Sequence, residues 1–267
     1  MNGTKKSTKK KAKATRKPAT RKRRSGKKTK KRNLLIFAGL CLALFLGGLI
    51  LGYHYYHHQD VVIDSLKYPV QGIDVSRHNG DIDFNEVAQQ NIQFVIMRAS
   101  HGDKTDEAFE KNYAEATAAG LEVGVYHDLR FDKDGAEQAR ILYDCIKGKT
   151  FAIPVAVDVE DWGNSKFIEH KKRIKTISDM VTTLKQLGVN VMIYTNQDGH
   201  KKYVAKHFED ETLWLCALIQ PETVPIQSWK ILQYCHTGTV KGIEGDVDLD
   251  IFNGTQNEWK LWLDNQK

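Results

Sequence analysis

Acidic residues are absent from the first 59 positions of this 267-residue chain, and the first of them is Asp60. Residues 1–32 carry 17 lysines and arginines and, after Met1, no large apolar residue. Such a segment has nothing with which to form a core, so we predict a disordered basic tail over residues 1–32. Subtracting those 17 from the chain's 40 basic residues leaves 23 against 33 acidic residues, a net charge of −10. This acidic balance argues against a polyanion-binding surface on the folded part.

Cysteine is scarce, and the four cysteines show no C-x-x-C spacing. This absence argues against a structural zinc site and against a thioredoxin-like motif. If the folded part lies outside the cytoplasm, Cys216 and Cys235 could pair and leave Cys145 free. His54, His57 and His58 lie close together, but no partner ligands follow them at a helical or hairpin spacing, so we expect neither a metal nor a cofactor.

Charge is absent from a run of 20 residues, Leu34 to Tyr53. A helix rises about 1.5 Å per residue, so this run spans roughly 30 Å, the thickness of a bilayer core. The run exceeds the apolar region of a signal peptide and no A-x-A site follows, so we predict a transmembrane helix over residues 33–53. The positive-inside rule then places the N-terminus in the cytoplasm and the rest in the periplasm or outside the cell. A polar stem, 54–68, leads to a domain at 69–267.

From Gln71 onward, short apolar runs alternate with amphipathic segments. The predicted strands are Gly72–Val75, Phe94–Ala99, Glu122–Tyr126, Val155–Val159, Val189–Thr195, Leu213–Leu218, Ile231–Cys235 and Val247–Ile251. The predicted helices are Phe84–Gln90, Asp106–Ala119, Ala136–Ile146, a long helix capped by Ser165 and ending at Leu187, and Lys201–His207. Five β–α units followed by three strands predict an α/β domain with a parallel sheet. A strand count near eight favours a closed, modified TIM-like barrel.

Two acids lie at the end of the fourth strand, where P-V-A-V-D-V-E places Asp158 and Glu160 two residues apart. Strand side chains alternate, so the two acids share one face while Val157 and Val159 occupy the other. Two neighbouring carboxyl groups repel each other, and one of them resists ionisation. The pair can therefore supply a proton donor and a carboxylate near neutral pH. The alternative is a pair of solvated acids at the end of a strand.

Other acids and aromatic residues fall at the ends of the predicted strands. In a parallel barrel, the chemistry is carried by the C-terminal ends of the strands. Asp246, Asp248 and Asp250 alternate along the last strand, which predicts that they share a face. The remaining strand-end residues are Asp74, Tyr126, His127, Tyr194, Gln233 and Tyr234. Carboxyl groups between aromatic walls indicate a carbohydrate site with acid/base catalysis.

Six segments in order resemble glycoside hydrolase family 25, the muramidases often called Chalaropsis-type lysozymes. They are YPVQGIDVSRHNGDIDF, FVIMRAS, DEAFEKNYAEATAAGLEVGVYH, PVAVDVED, VMIYTN and ILQYCHTGTVKGIEGDVDLDIF. The resemblance covers about Tyr68 to Phe252. It implies a modified β/α barrel that hydrolyses the β-1,4 bond between N-acetylmuramic acid and N-acetylglucosamine in peptidoglycan.

The resemblance also implies roles for individual residues. Glu160 matches the proton donor of the family's D-x-E motif, and Asp158 matches its partner carboxylate. Asp74 matches the acid of G-I-D-V-S, and Asp248 matches the acid of a V-D-L-N close in which this chain has Asp250 instead of asparagine. The residues that match positions lining the sugar cleft are Tyr126, Tyr194 and Gln233.

Three positions depart from the family pattern and remove aromatic surface: Asp128, Leu218 and Leu232. The four acids are kept, which favours a membrane-anchored peptidoglycan muramidase. The missing aromatic residues leave an alternative, a glycan-binding or cell-wall scaffold module that has lost turnover. A third interpretation makes the basic tail the main functional part, in contact with nucleic acid or anionic lipid. The tail could also serve only as a topology signal.

Overall fold

The computed structural model describes residue 3 and residues 26–57 and 61–266. The chain divides into two compact units, residues 1–59 and residues 60–267. The first unit contributes a long apolar helix, and the second contains the sheet and the remaining helices.

In the first unit, helix α1 spans Gly26–His57. Its segment Lys30–Leu49 is long and apolar enough to cross a membrane, a property that N-terminal signal sequences share. Residues 26–32, which we predicted to be disordered, are part of this helix. Lysine and arginine have good helix propensity, and extending an existing helix needs no new nucleation. Apart from residue 3, the rest of the predicted tail lies outside the described residues.

The second unit is an α/β domain with nine strands among the described residues. The strands are β1 (Gln71–Val75), β2 (Phe94–His101), β3 (Lys104–Thr105), β4 (Glu122–Asp128), β5 (Val155–Asp158), β6 (Val191–Asn196), β7 (Thr212–Cys216), β8 (Trp229–Gly238) and β9 (Val247–Phe252). The α-helices are α2 (Phe84–Ala88), α3 (Phe109–Ala118), α4 (Gly135–Ile146), α5 (His170–Gln186), α6 (Gln197–Gly199) and α7 (Gln256–Asp264). A π-helix, His200–Val204, overlaps the predicted helix Lys201–His207.

Eight of these strands close into a barrel. Their order is β1-β9-β8-β7-β6-β5-β4-β2, and pairing between β1 and β2 completes the ring. Seven strands run parallel, whereas β9 is antiparallel to both of its neighbours. Strand β3 forms a short hairpin on β2. The predicted modified barrel, with five β–α units followed by three strands, is confirmed.

Apolar side chains fill two layers, one between the sheet and the helices and one inside the barrel. Val157 and Val159 face the outer layer, with Ile177 and Met180 of α5, as their alternation predicts. We call the end of the barrel at which the parallel strands begin its lower end. There, Trp259 of α7 contacts the rings of Phe94 and Phe252, with ring centroids 5.2 and 5.0 Å away. Helix α7 therefore closes the lower end, and the opposite end remains open.

The folded domain begins earlier than the predicted boundary at residue 69. Tyr68 is buried, and its ring lies 6.1 Å from that of Trp229. Val61 and Ile63 pack against the same apolar cluster. Residues 61–68 therefore belong to the domain, because they bury apolar side chains on its surface.

Helix α5 begins at His170, so Ser165 does not cap it. The preceding residues form a loop instead, in which Arg173 donates hydrogen bonds to the carbonyl oxygens of Ser165 and Ile168, each at 3.0 Å. These bonds hold the backbone in a non-helical conformation ahead of the helix.

The conditional pairing of Cys216 with Cys235 does not occur, because both thiols are free, as is that of Cys145. Cys216 belongs to the cluster inside the barrel, whereas Cys235 packs against a cluster on its outer side. The two side chains point to opposite faces of the sheet and cannot meet.

Candidate active site

A cleft of about 490 Å³ occupies the open end of the barrel. Every barrel strand, or the loop that follows it, contributes to its wall. The lining residues are Asp74, Ser76, His78, Asn79, Arg98, Tyr126, Asp128, Asp158, Glu160, Trp162, Tyr194, Asn196, Trp214, Cys216, Gln233, His236 and Asp248. All seven residues to which the family resemblance assigns a role are in this set, so the structure brings them together in one place. The strand-end residues His127 and Tyr234 are not in it, because both are buried elsewhere. Their individual roles remain predictions.

The antiparallel direction of β9 explains how Asp248 reaches this cleft. Asp248 lies near the start of β9 and pairs directly with Asp74, near the end of β1. Because β9 runs against β1, its beginning lies at the same end of the barrel as the ends of the parallel strands. Asp246 precedes the strand and is exposed, so the predicted shared face of three acids is limited to Asp248 and Asp250.

Asp158 and Glu160 extend into the cleft from the end of β5. The Oδ1 atom of Asp158 is buried and has no hydrogen-bond partner among the described residues. Glu160 accepts a hydrogen bond at Oε1 from Nδ2 of Asn196 at 2.7 Å. Burial raises the pKa of both carboxyl groups, and the neighbouring Glu160 charge adds to the shift of Asp158. The pair therefore retains a proton at a higher pH than exposed carboxyl groups do.

A hydrogen-bonded chain fixes Asp74 in the centre of the barrel. Nε2 of Gln233 donates to Oδ2 of Asp74 at 2.6 Å, and the Tyr194 hydroxyl donates to Oε1 of the same glutamine at 2.7 Å. Asp74 is only 6% exposed, and burial raises its pKa, with further contributions from Asp248 and Asp250. The amide of Gln233 is thereby oriented between an acid and a tyrosine.

Asp250 lies fully buried inside the barrel. Nε1 of Trp214 donates a hydrogen bond to its Oδ1 at 2.8 Å. Burial nevertheless raises the pKa of Asp250 to about 8, because desolvation outweighs the effect of this hydrogen bond. The negative charge of Asp248 raises the pKa further. An acid at the position of the family's asparagine is therefore largely protonated at neutral pH.

Several cleft residues were missing from the sequence prediction. Arg98, Asp128, Asn196 and Cys216 each lie at or near the end of a strand, so the positional rule that found Asp158 could have identified them. Arg98 forms a buried ion pair with Asp106, with 2.7 Å between Nε and Oδ2.

No sequence pattern of this kind pointed to His236 as a cleft residue. A shift in the register of β8 occurs between Gln233 and Cys235. Regular alternation would turn Cys235 inward, but the irregularity directs His236 into the cleft instead. There its Nδ1 donates to Oδ1 of Asp248 at 2.6 Å, which raises the pKa of the imidazole.

The cleft combines buried carboxyl groups with tyrosine and tryptophan walls. Among residues 26–57 and 61–266, no three histidine, cysteine or acidic side chains are grouped so as to hold a metal ion. The arrangement suits proton transfer to a leaving oxygen together with stabilisation of positive charge by carboxylates.

Comparisons with known proteins agree with this geometry. The family model described as glycosyl hydrolases family 25 matches residues 73–243. The uncharacterized protein YegX of Escherichia coli K12 is 29% identical over 80% of this chain and 82% of its own length. An autolytic lysozyme of Clostridium acetobutylicum is also 29% identical, over 69% of this chain and 56% of its own.

Solved structures give the same result. A family 25 glycosyl hydrolase from Bacillus anthracis superposes with a TM-score of 0.68 and 26% identity, covering 76% of this chain and 97% of that one. The family model covers more than half of the chain, and the resemblance noted in the sequence is confirmed. The chain therefore belongs to family 25 of the glycosyl hydrolases, and it is a glycoside hydrolase.

Proposed function

We propose that this protein is a peptidoglycan muramidase that cleaves the β-1,4 bond between N-acetylmuramic acid and N-acetylglucosamine, with Glu160 as proton donor. The observation that carries the proposal is the convergence of Asp74, Asp158, Glu160 and Asp248 in one cleft at the open end of the barrel. The similarity to an autolytic lysozyme supports the choice of peptidoglycan as substrate.

Glu160 has the properties of a general acid. Its burial raises the pKa, so a protonated fraction persists toward neutral pH. Asn196 holds one oxygen, Oε1, and leaves the other available to face the scissile oxygen. Proton transfer from such a positioned acid contributes about 10²–10⁴-fold to the rate.

Asp158, the second acid of the pair, can bind the substrate through its unpartnered oxygen. An acetamido N–H of the sugar would satisfy the buried Oδ1 and favour the ionised form of Asp158. The resulting negative charge would raise the pKa of Glu160 and place the shared proton there. Substrate binding would thus put Glu160 in the protonated form that a proton donor needs. The ionised Asp158 would then stabilise the oxocarbenium-like transition state, as would a carboxylate at Asp248.

Identification of the new chain ends after digestion of purified peptidoglycan tests this proposal. Cleavage by the full-length chain in detergent should release fragments with N-acetylmuramic acid at the reducing end. Reducing ends of N-acetylglucosamine would contradict the proposed bond. Binding to the polymer without any release would support the alternative, a glycan-binding or scaffold module.

We further propose that α1 anchors the enzyme as a single-pass membrane protein, with the N-terminus in the cytoplasm and the barrel in the periplasm or outside the cell. The segment Lys30–Leu49 supports the span by its length and apolar composition, and the basic residues before it support the orientation. The basic tail would then face anionic lipid or nucleic acid at the cytoplasmic side. Membrane fractionation tests whether this helix is an anchor or a cleaved signal sequence, because cleavage would release the mature domain into the soluble fraction.

A further inference from the structure

A tryptophan at the edge of the cleft has no role in the chemistry described above. Trp162 lines the cleft but is 85% exposed. The structure describes all five tryptophans, and the other four are buried or half-buried. Leaving a large aromatic side chain in water forgoes the stabilisation that burial would provide, so its exposure beside a substrate cleft points to a ligand.

The residues on both sides of Trp162 are held by ion pairs and hydrogen bonds. Asp161 forms ion pairs with Arg173 and with Lys202, the latter at 2.8 Å, and it also accepts a hydrogen bond from the Tyr203 hydroxyl at 2.5 Å. These contacts fix the loop immediately before Trp162.

The residues that follow are held as well. The carbonyl oxygen of Gly163 accepts a hydrogen bond from Arg130. Nδ2 of Asn164 donates to the carbonyl oxygens of Leu129 and Glu160 at 2.9 and 3.0 Å. The loop is thus tied directly to the backbone of the proposed proton donor. A loop that is already fixed at both sides of Trp162 can bind a ligand there without a large loss of loop entropy.

We propose that Trp162 is a stacking platform for a sugar ring of the glycan strand, outside the bond-cleaving centre. The axial C–H groups of an N-acetylhexosamine form an apolar face that fits an indole, and the hydroxyl and amide groups at the ring edge stay in water. The platform is continuous with the cleft because Trp162 and Glu160 line the same cavity. This inference rests on the proposed function and adds a subsite to it.

Phe167 offers a matched control on the same loop. Its ring is 98% exposed, but it is not part of the cleft wall. A non-specific effect of removing an exposed aromatic residue from this loop would appear at both positions. A subsite effect would appear only at Trp162.

The test measures binding in the Glu160→Gln background, which keeps the glycan intact. The probes are glycan strands with and without their peptides, and the free disaccharide, whose two rings span only the bond-cleaving centre. Trp162→Ala should raise the Kd for the strands by about tenfold, with little effect on the disaccharide, while Trp162→Tyr retains most of the affinity. Phe167→Ala should leave both values unchanged. Strand binding should also alter the tryptophan fluorescence, and Trp162→Ala should reduce that change to the part contributed by Trp214 in the cleft wall.

Three results would overturn the platform. Equal strand affinity with and without the indole would do so, as would equal losses at both exposed aromatic residues. A loss seen only with peptide-bearing strands would assign Trp162 to the peptide rather than the sugar. If the parent chain digests peptidoglycan in any of these cases, the proposed function stands and the subsite alone fails. If the parent neither binds nor digests glycan, both proposals fail together.

Discussion

Burial controls the ionisation of the carboxyl groups in this cleft, and single hydrogen bonds adjust it. Asp158 and Glu160 follow the same strand, but only Glu160 receives an amide hydrogen bond, from Asn196. A donor of this kind favours the ionised form and works against the effect of burial. Neighbouring acids of the same type can therefore hold the proton unequally, as acid/base catalysis requires.

Removal of this bond should change the pH dependence of activity. Asn196→Ala deprives ionised Glu160 of its donor, so the pKa of the glutamic acid rises further. A proton donor works only while protonated, so the falling limb of kcat/KM should move to higher pH. The substitution also removes the N-cap of α6, a contact worth about 1 kcal/mol. A pH–rate profile on peptidoglycan measures the shift.

Asn190→Ala provides the control, because Asn190 is exposed and precedes the other end of the same strand. Its profile should match that of the parent. An unchanged falling limb in Asn196→Ala would show that Glu160 does not set it.

The buried Asp250 makes a second prediction, for stability. Its pKa is about 8 in the folded chain against an ordinary value of 3.8, so the native state holds the extra proton between these values. The free energy of unfolding should therefore fall as the pH rises from about 4 to about 8. Asp250→Asn keeps an acceptor for Trp214 but cannot ionise. Its free energy of unfolding should therefore gain on that of the parent between pH 4 and pH 8, by up to about 5 kcal/mol at about 1.4 kcal/mol per unit of pKa.

Urea unfolding across this pH range measures the effect. Asp246→Asn serves as the control, because that side chain is exposed and its substitution removes no buried acid. A variant at Asp250 with the same pH slope as the parent would mean that the buried acid is ionised already.

At the scale of elements, the barrel depends on a helix that closes its lower end. Trp259 of α7 is buried against Phe94, Phe252 and Trp262. Trp259→Ala should open a cavity there and lower the free energy of unfolding by about 3–5 kcal/mol. Leu261→Ala, on the same helix but 64% exposed, should change it by less than about 0.5 kcal/mol. Denaturant unfolding compares them, and equal losses would contradict this role of α7.

Elements with strong periodicity were predictable, and elements set by tertiary contacts were not. The run before Asp158 identified β5, because four apolar residues in a row suit a strand covered on both faces. Helix α7 was missed, since its burial depends on rings from β2 and β9. The start of α5 was misplaced because Arg173 organises the loop around Ser165.

The candidate site shows the same division. The strand-end rule identified six of the seven predicted site residues, but it also named His127 and Tyr234, which lie outside the cleft. Asp248, near the start of the antiparallel β9, was assigned by the family resemblance. His236 could not be found this way, because a register irregularity rather than regular alternation directs it inward. The role of Trp162 likewise depends on exposure and on the anchoring of its neighbours, which only coordinates reveal.

At the scale of the whole molecule, charge divides the chain into two parts of opposite sign. The tail carries 17 basic residues and no acid, whereas the remainder is acidic. Topology signals and anionic surfaces select for the first pattern, and a carboxylate-rich cleft contributes to the second. The apolar helix between them lets one chain combine a basic end with an acidic enzyme domain.

The most direct test of the central claim is the turnover number of Glu160→Gln on purified peptidoglycan. Glutamine keeps the size of the side chain but cannot donate the proton, so kcat should fall by about 10²–10⁴-fold. Glu244→Gln, at an exposed position, should retain the activity of the parent. Equal turnover by Glu160→Gln and the parent would contradict the assignment of this residue as the catalytic acid.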